Sequence, residues 1–121
     1  MTSVLIVEDD PDIALMMSVS LRIAGNEVAT ADSGEAALAA LQRSKPGVLV
    51  LDLGLPGIGG REVLREVRRH PTLRFLPVVV VSAHAGAPTI NELAELGCDR
   101  YLTKPFDPRE LVRVVATLPG V

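Results

Sequence analysis

The sequence predicts an α/β protein, a three-layer sandwich in which helices cover both faces of a five-stranded parallel sheet. Residues 4–7, 48–51 and 78–81 form short apolar runs rich in β-branched side chains, as is typical of strands buried on both faces. Helical patterns alternate with these runs and with two weaker strands, so the chain repeats a βα unit five times. That pattern favours a parallel sheet with right-handed crossovers.

The individual elements are predicted from apolar spacing and from residues that begin or end helices. In chain order they are strand 4–7, helix 11–24, strand 27–30, a helix from 32 or 33 to 43, strand 48–51, helix 61–69, strand 78–81, helix 88–96, strand 100–103 and helix 107–118. Asp10 and Asp107 can cap the first and last helices. Either Asp32 or Ser33 can cap the second helix, and Gly25 suits the end of the first.

The three helices in the second half of the chain are predicted from apolar faces at helical spacing. Their inward residues are, in turn, Val63, Leu64 and Val67; Ile90, Leu93 and Leu96; and Leu111, Val114, Val115 and Leu118. The arginines of residues 61–74 are interleaved with Glu62 and Glu66, and they are interpreted as a solvated helix face.

Length and composition narrow the class of protein. The chain has 121 residues and one cysteine, so we expect one domain over residues 1–118 without an intrachain disulfide, and a C-terminal tail or the start of a linker at 119–121. No apolar run approaches the roughly 20 residues of a membrane span, and no signal peptide is visible, so we expect a cytoplasmic protein without membrane contact. The net charge of −3 and the scarcity of aromatic residues argue against direct binding of nucleic acid.

Charged or hydroxyl side chains stand where four of the five predicted strands end. These residues are Glu8 and Asp9, then Asp52, then Ser82, and finally Lys104. Open α/β sheets bind ligands at the carboxyl ends of their strands. The sequence therefore predicts a binding site built from these side chains.

The chemistry predicted for this site is phosphoryl transfer to Asp52. Like charges about 4 Å apart repel by roughly 4 kcal/mol at an effective dielectric near 20, so clustered carboxylates need cations. Lys104 supplies one positive charge, and Mg²⁺, which prefers carboxylate and carbonyl oxygens and often shares phosphate ligands, supplies two. An Asp carboxylate can act as a nucleophile and become an aspartyl phosphate, while Lys104 and the Ser82 hydroxyl bind phosphoryl oxygens.

Four segments of the chain resemble the receiver (CheY-like) domain of two-component response regulators, and the resemblance extends over essentially the whole chain. They are VLIVEDD at 4–10, LDLGLPG at 51–57, VSA at 81–83 and YLTKPF at 101–106. The spacings from Asp52 to Ser82 and from Ser82 to Lys104 also match that family. The resemblance implies a flavodoxin-like (βα)5 sandwich with strand order 2-1-3-4-5.

The resemblance also implies roles for individual residues. Asp52 would be the phosphoacceptor, and Ser82 and Lys104 would bind the phosphoryl group. Tyr101, which taken alone is interpreted as a core aromatic, would act with Ser82 as a conformational switch. A cis peptide bond is expected before Pro105. The Mg²⁺ ligands would be Glu8 (through water), Asp9, Asp52 and the backbone carbonyl of Gly54.

Members of the family are signalling switches, so the resemblance implies partners and no classical enzyme activity beyond self-phosphorylation and autodephosphorylation. The phosphodonor would be a histidine kinase or a histidine phosphotransfer protein. A downstream effector or output domain would receive the signal through the face near residues 89–96, Tyr101 and residues 109–115. A phosphorylation-dependent homodimer through the last two helices and the fifth strand is one form of that output.

Two other classes of function stay open from the sequence. A Mg²⁺-dependent aspartyl phosphatase acting on small phosphate esters would use Asp52, but such enzymes often carry a second Asp two positions later, where this chain has Gly54. A flavodoxin-like FMN carrier needs a phosphate-binding loop after the first strand, where Glu8 and Asp9 would repel the phosphate.

Overall fold

The computed structural model describes residues 2–83, 91–92, 94–95 and 97–118. Within these residues the bounded elements are β1 (Ser3–Val7), α1 (Pro11–Ile23), β2 (Glu27–Ala31), α2 (Gly34–Arg43), β3 (Val48–Asp52), α3 (Gly60–Arg69), β4 (Val78–Ser82), β5 (Arg100–Thr103) and α4 (Pro108–Ala116). Each of them matches a predicted element to within a few residues. The three inward residues predicted for helix 88–96 lie outside the described residues.

The five strands form one parallel sheet in the order β2-β1-β3-β4-β5. This arrangement confirms the predicted fold class and strand order. β1 and β3 are neighbours at the centre, and their register pairs Val7 with Leu51. Towards the β5 edge of the sheet, the register of β4 and β5 pairs Ser82 with Thr103. The residues that follow these pairs therefore meet at the carboxyl edge of the sheet.

An apolar layer lies on each face of the sheet, because alternate strand residues point in opposite directions. The layer under α2 and α3 includes Leu5, Leu49, Leu51, Val80, Leu41 and Leu64. The layer under α1 and α4 includes Val4, Ile6, Val50, Val79, Leu21 and Leu111. Burial on both faces explains why the strand sequences are continuously apolar rather than alternating.

The helix caps agree with the residues expected for them. The Asp10 carboxylate accepts hydrogen bonds from the N–H groups of the first turn of α1, and Asp107 does the same for α4. Of the two candidates for α2, it is Ser33 that caps the helix, because its hydroxyl accepts the Ala36 N–H at 3.0 Å. α1 is followed by Gly25 at φ +99°, a conformation that glycine adopts without steric cost.

The longest bounded helix, α1, has 13 residues. Across the part of the chain that the structure describes, no helix combines the length and the apolar character needed to span a membrane.

Candidate functional site

A cavity of about 520 Å³ opens at the carboxyl edge of the sheet. The residues predicted for the metal and phosphoryl sites all line it: Glu8, Asp9, Asp52, Gly54, Ser82 and Lys104. The fold thus brings together side chains that are up to 96 positions apart in the chain.

Backbone hydrogen bonds fix the segments that carry these side chains. The Leu53 N–H donates to the Val81 carbonyl at 3.1 Å, and this bond holds the chain after Asp52 against β4. The Lys104 N–H donates to the Ser82 carbonyl at 2.8 Å, which extends the pairing of β4 and β5 by one residue. The peptide bond between Lys104 and Pro105 is cis, as expected from the resemblance.

The start of α3 packs directly on the Asp52 main chain. A Cβ atom built on Gly60 would clash with the Asp52 carbonyl oxygen and would lie 2.8 Å from the Leu53 Cα atom. Only a glycine fits this approach without movement of the backbone. On the other side of Asp52, the Gly54 N–H donates to its Oδ1 atom at 3.0 Å. Asp52, the candidate phosphoacceptor, is therefore held in place by three elements: its own strand, the loop that follows it and the start of α3.

Lys104 connects two buried carboxylates. Its Nζ atom lies 2.7 Å from Glu8 Oε1 and 3.2 Å from Asp52 Oδ2. Glu8 is 2% exposed and Asp52 is 5% exposed, whereas Asp9 faces solvent. Two buried carboxylates thus share one ammonium group, and the Asp9 carboxylate lies close to both, so these four side chains carry an excess of negative charge.

The pKa shifts of Glu8 and Lys104 agree with this excess of negative charge. Burial raises the pKa of Glu8 above its ordinary value, and the nearby Asp52 carboxylate adds to the rise, against the opposing hydrogen bonds from Lys104 and Asp10. Burial alone would lower the pKa of Lys104, but its hydrogen bond to Glu8 and the charge of Asp52 outweigh burial and raise it. Lys104 therefore stays protonated, while the crowded carboxylates favour an additional cation.

The donor set suits a hard divalent cation. Carboxylate oxygens of Glu8, Asp9 and Asp52 all lie within 4.8 Å of one another. Mg²⁺ and Ca²⁺ take oxygen ligands, whereas zinc sites are usually built from His and Cys. The predicted Mg²⁺ site thus fits the chemistry of the residues that meet here.

Two residues near the site differ in how well the sequence predicted them. Tyr101 is half-buried and packs against the apolar layer under α2 and α3, in agreement with the core-aromatic interpretation. Arg61 was interpreted as part of a solvated helix face, yet it lines the cavity. The signal that could have located it is the preceding Gly59-Gly60 pair, which permits a close approach of α3 to β3.

Comparisons with known proteins agree with this fold and site. The sequence model of the response regulator receiver domain matches residues 4–116. The chain therefore belongs to the response regulator receiver domain family, whose members act in two-component signalling. This membership confirms the family predicted from the four sequence segments.

Two curated relatives cover nearly the whole chain. Sensory transduction protein RegX3 of Mycolicibacterium smegmatis is 40% identical over 119 residues, covering 98% of this chain and 51% of RegX3. Phosphate regulon transcriptional regulatory protein PhoB of Pseudomonas aeruginosa is 36% identical over 110 residues, covering 91% of this chain and 48% of PhoB. The chain thus spans about half the length of these curated relatives.

Solved structures share the complete fold. Chemotaxis protein CheY4 of Vibrio cholerae has a TM-score of 0.91 at 32% identity, covering 96% of this chain and 97% of CheY4. The Mn²⁺-bound form of response regulator Rcp1 has a TM-score of 0.83 at 31% identity, covering 95% of this chain and 89% of Rcp1.

Proposed function

We propose that this receiver domain accepts a phosphoryl group on Asp52 from a phosphohistidine and changes conformation in response. The observation that carries the proposal is the ion-paired cluster at the carboxyl edge of the sheet, where Lys104 lies 3.2 Å from Asp52 and 2.7 Å from Glu8. Membership of the receiver domain family supports the same function, because relatives such as RegX3 and PhoB are signalling and regulatory proteins.

The reaction forms one bond and breaks one. A carboxylate oxygen of Asp52 attacks the phosphorus atom of the donor phosphohistidine, and the P–N bond breaks with its electron pair left on the imidazole nitrogen. The product is an acyl phosphate, which carries one negative charge more than the free carboxylate. Phosphoryl transfer depends mainly on positioning and charge neutralisation. Lys104 and Ser82 are the groups that we expect to bind the transferred oxygens.

Mg²⁺ is the proposed cation of this site. Glu8, Asp9, Asp52 and the Gly54 carbonyl would hold it, and when bound it would neutralise charge on the phosphoryl oxygens. The oxygen-only donor set supports this assignment. So does the Mn²⁺-bound form of the relative Rcp1, because Mn²⁺ and Mg²⁺ share a preference for oxygen ligands.

The proposed partners follow from the chemistry and from the family. A histidine kinase or a histidine phosphotransfer protein would supply the phosphoryl group, and a downstream effector or output domain would receive the signal. Ser82 and Tyr101 are the proposed switch residues, and the face around Tyr101 and residues 109–115 is the proposed output surface. A phosphorylation-dependent homodimer through the last two helices and the fifth strand is one proposed form of output.

Three further assignments accompany these partners. The domain itself is proposed to make no direct contact with nucleic acid or membrane. Residues 1–118 are the proposed domain unit, with 119–121 as a tail or the start of a linker. The cytoplasmic location stays a prediction.

The phosphatase alternative lacks a general acid at the expected place. Gly54 contributes only its N–H to Asp52, so position 54 has no side chain that could protonate a leaving alcohol. Receiver-domain relatives are signalling proteins, which favours a switch over a classical enzyme. Multiple turnover of a small phosphate ester would reverse this assignment.

The decisive experiment measures the mass of the intact protein after incubation with acetyl phosphate and Mg²⁺. We expect one phosphoryl group on the wild type and none on Asp52→Asn. Asp12→Asn is the matched control, because Asp12 is an exposed carboxylate outside the cavity, and it is expected to be phosphorylated like the wild type. An unmodified wild type, or an equally modified Asp52→Asn variant, would exclude the proposed function.

A further inference from the structure

Arg61 lines the same cavity as Asp52, Ser82 and Lys104, although no part of the proposed reaction uses it. It directly follows Gly60, which lies against the Asp52 main chain closely enough to exclude a Cβ atom. Consecutive Cα atoms are about 3.8 Å apart, so Arg61 begins one residue from that contact. Its long side chain is therefore within reach of a group attached to Asp52.

Glu92 is the partner of Arg61 in the unphosphorylated protein. Arg61 Nε lies 3.0 Å from Glu92 Oε2, and the two side chains are 39% and 51% exposed. Ion pairs as exposed as this one contribute little to stability, because water competes for both charges. A stronger anion in the cavity can therefore displace Glu92.

Phosphorylation would supply such an anion. Lys104 together with a bound divalent cation would balance the three carboxylates of the site, and conversion of Asp52 to an acyl phosphate would add one further negative charge. Lys104 is already shared between Glu8 and Asp52. A guanidinium group binds two phosphoryl oxygens in one planar contact, which makes Arg61 suited to the added charge.

We propose that Arg61 exchanges Glu92 for the phosphoryl group on Asp52 and is a phosphoryl-binding residue of this domain. The inference rests on the proposed function of Asp52. The exchange has a structural consequence, because it breaks the ion pair that joins α3 to Glu92. Phosphorylation at the sheet edge would thereby release Glu92.

The test measures binding of beryllofluoride, a phosphoryl mimic, in the presence of Mg²⁺. We expect Arg61→Gln to weaken beryllofluoride binding by about tenfold, since one charge-assisted pair is lost. We expect Glu92→Gln to strengthen binding, since it removes the competing partner of Arg61. If the ion pair is merely structural, both variants should change beryllofluoride affinity in the same direction or leave it unchanged. Either result would overturn the proposal.

The matched control is Arg65→Gln, which removes another exposed ion pair of α3, the 3.3 Å contact with Glu62. Arg65 does not line the cavity, so this variant is expected to bind beryllofluoride like the wild type. Mg²⁺ affinity measured without beryllofluoride is expected not to fall in Arg61→Gln, and a parallel fall would contradict a phosphoryl-specific role.

Two failures are distinguishable in the same titrations. If the wild type binds no beryllofluoride, the proposed function of Asp52 fails. If the wild type binds it and Arg61→Gln binds it equally well, only the role of Arg61 fails. The Nε–H signal of Arg61 in NMR spectra gives a direct readout, because it should shift when beryllofluoride replaces Glu92 and stay unchanged if the ion pair persists.

Discussion

The shortest ion pair of the site joins Lys104 to Glu8, at 2.7 Å, while Asp52 lies 3.2 Å from the same ammonium group. Among the residues that the structure describes, Lys104 is the positive charge that pairs with the buried carboxylates, and Glu8 makes the shorter contact with it. Asp52 in turn faces two like charges, from Glu8 and Asp9, and one opposite charge, from Lys104. Asp52 is therefore surrounded by more carboxylate charge than Lys104 alone can match.

Asp52→Asn is expected to raise the free energy of unfolding of the metal-free protein by about 1 kcal/mol, because a net repulsion at partly screened distances is removed. Urea denaturation in a chelating buffer measures this change. Mg²⁺ should stabilise the variant less than the wild type, because one ligand is lost. Asp12→Asn is the control and should change little, and an Asp52→Asn variant less stable than the wild type without metal would contradict the expectation.

Gly60→Ala is expected to destabilise the protein by about 3 kcal/mol, because its Cβ atom would meet backbone atoms of Asp52 and Leu53 that cannot rotate away. The same substitution at Gly59, where no atom lies within 4 Å of the added Cβ, should cost less than about 1 kcal/mol. Thermal or chemical unfolding of both variants measures the difference. Equal costs at the two positions would show that α3 does not depend on this contact.

Arg68→Ala is expected to lower the free energy of unfolding by about 2 kcal/mol, since several bonded carbonyls lose their donor at once. The guanidinium donates to the carbonyls of Gly97, Arg74 and Leu76, and it also pairs with Asp99. Its side chain is only 20% exposed. Arg69→Ala is the control, because Arg69 is 67% exposed and its one ion pair with a described residue is to Glu66 on its own helix. A loss as large for Arg69→Ala would remove the special role of Arg68.

We expect the stability of the protein to depend on pH through Asp107, which caps the start of α4. The hydrogen bond from the Arg109 side chain, together with that from the Arg109 N–H, lowers the pKa of Asp107 to about 2. Because the pKa is lowered on folding, the carboxylate stabilises the folded protein above the ordinary value of 3.8, and this contribution is lost as the pH falls through about 2.

The stability gap between the wild type and Asp107→Asn should therefore be present at neutral pH and close as the pH approaches 2. Unfolding curves along a pH series measure it, and an NMR titration of the Asp107 carboxyl carbon gives the midpoint directly. Arg109→Ala should move that midpoint back towards 3.8. A midpoint already at the ordinary value in the wild type would be inconsistent with the Arg109 contact.

Ser18→Ala is expected to raise the free energy of unfolding by about 1 kcal/mol, because it removes a hydroxyl group with an unmet hydrogen bond. The Ser18 Oγ atom is buried and, among the residues that the structure describes, finds no hydrogen-bond partner. Ser20→Ala on the same helix is the comparison, because the Ser20 hydroxyl donates to the Met16 carbonyl at 2.9 Å and loses that bond. Loss of stability in Ser18→Ala would indicate that the hydroxyl is satisfied in solution.

The site residues could be predicted because their positions follow from a generic property of parallel sheets. Once residues 4–7 and 48–51 are identified as adjacent strands, the carboxylates of Glu8 and Asp52 must converge at one edge. That β1 and β3 are adjacent was predicted from the family resemblance, because apolar runs do not specify which strands pair. The distances within the cluster depend on how the strand ends and loops pack, which the sequence pattern does not specify.

Arg61 and Arg68 show where sequence patterns were insufficient. Both belong to a charged helix whose alternation of Arg and Glu is typical of a solvated face. Arg61 reaches the cavity because Gly60 lets α3 approach Asp52, and Arg68 bonds to Gly97, 29 residues away. Such contacts depend on how a helix is tilted against distant loops, and helical periodicity carries no information about that tilt. The choice of Ser33 over Asp32 as a cap likewise depends on where the helix axis begins.

The strand order places the acidic residues of the site and its Lys104 on strands with different numbers of neighbours. Glu8 directly follows β1 and Asp52 ends β3, and each of these strands has a neighbour on both sides. Tyr101 lies in β5 and Lys104 directly follows it, and among the strands that the structure describes β5 pairs with β4 alone. The carboxylates are thus attached to strands that are paired on both sides, while the cationic and aromatic groups are attached to a strand at the edge of the sheet. A rearrangement that follows a reaction at Asp52 would therefore break fewer strand pairings at β5 than at the centre of the sheet.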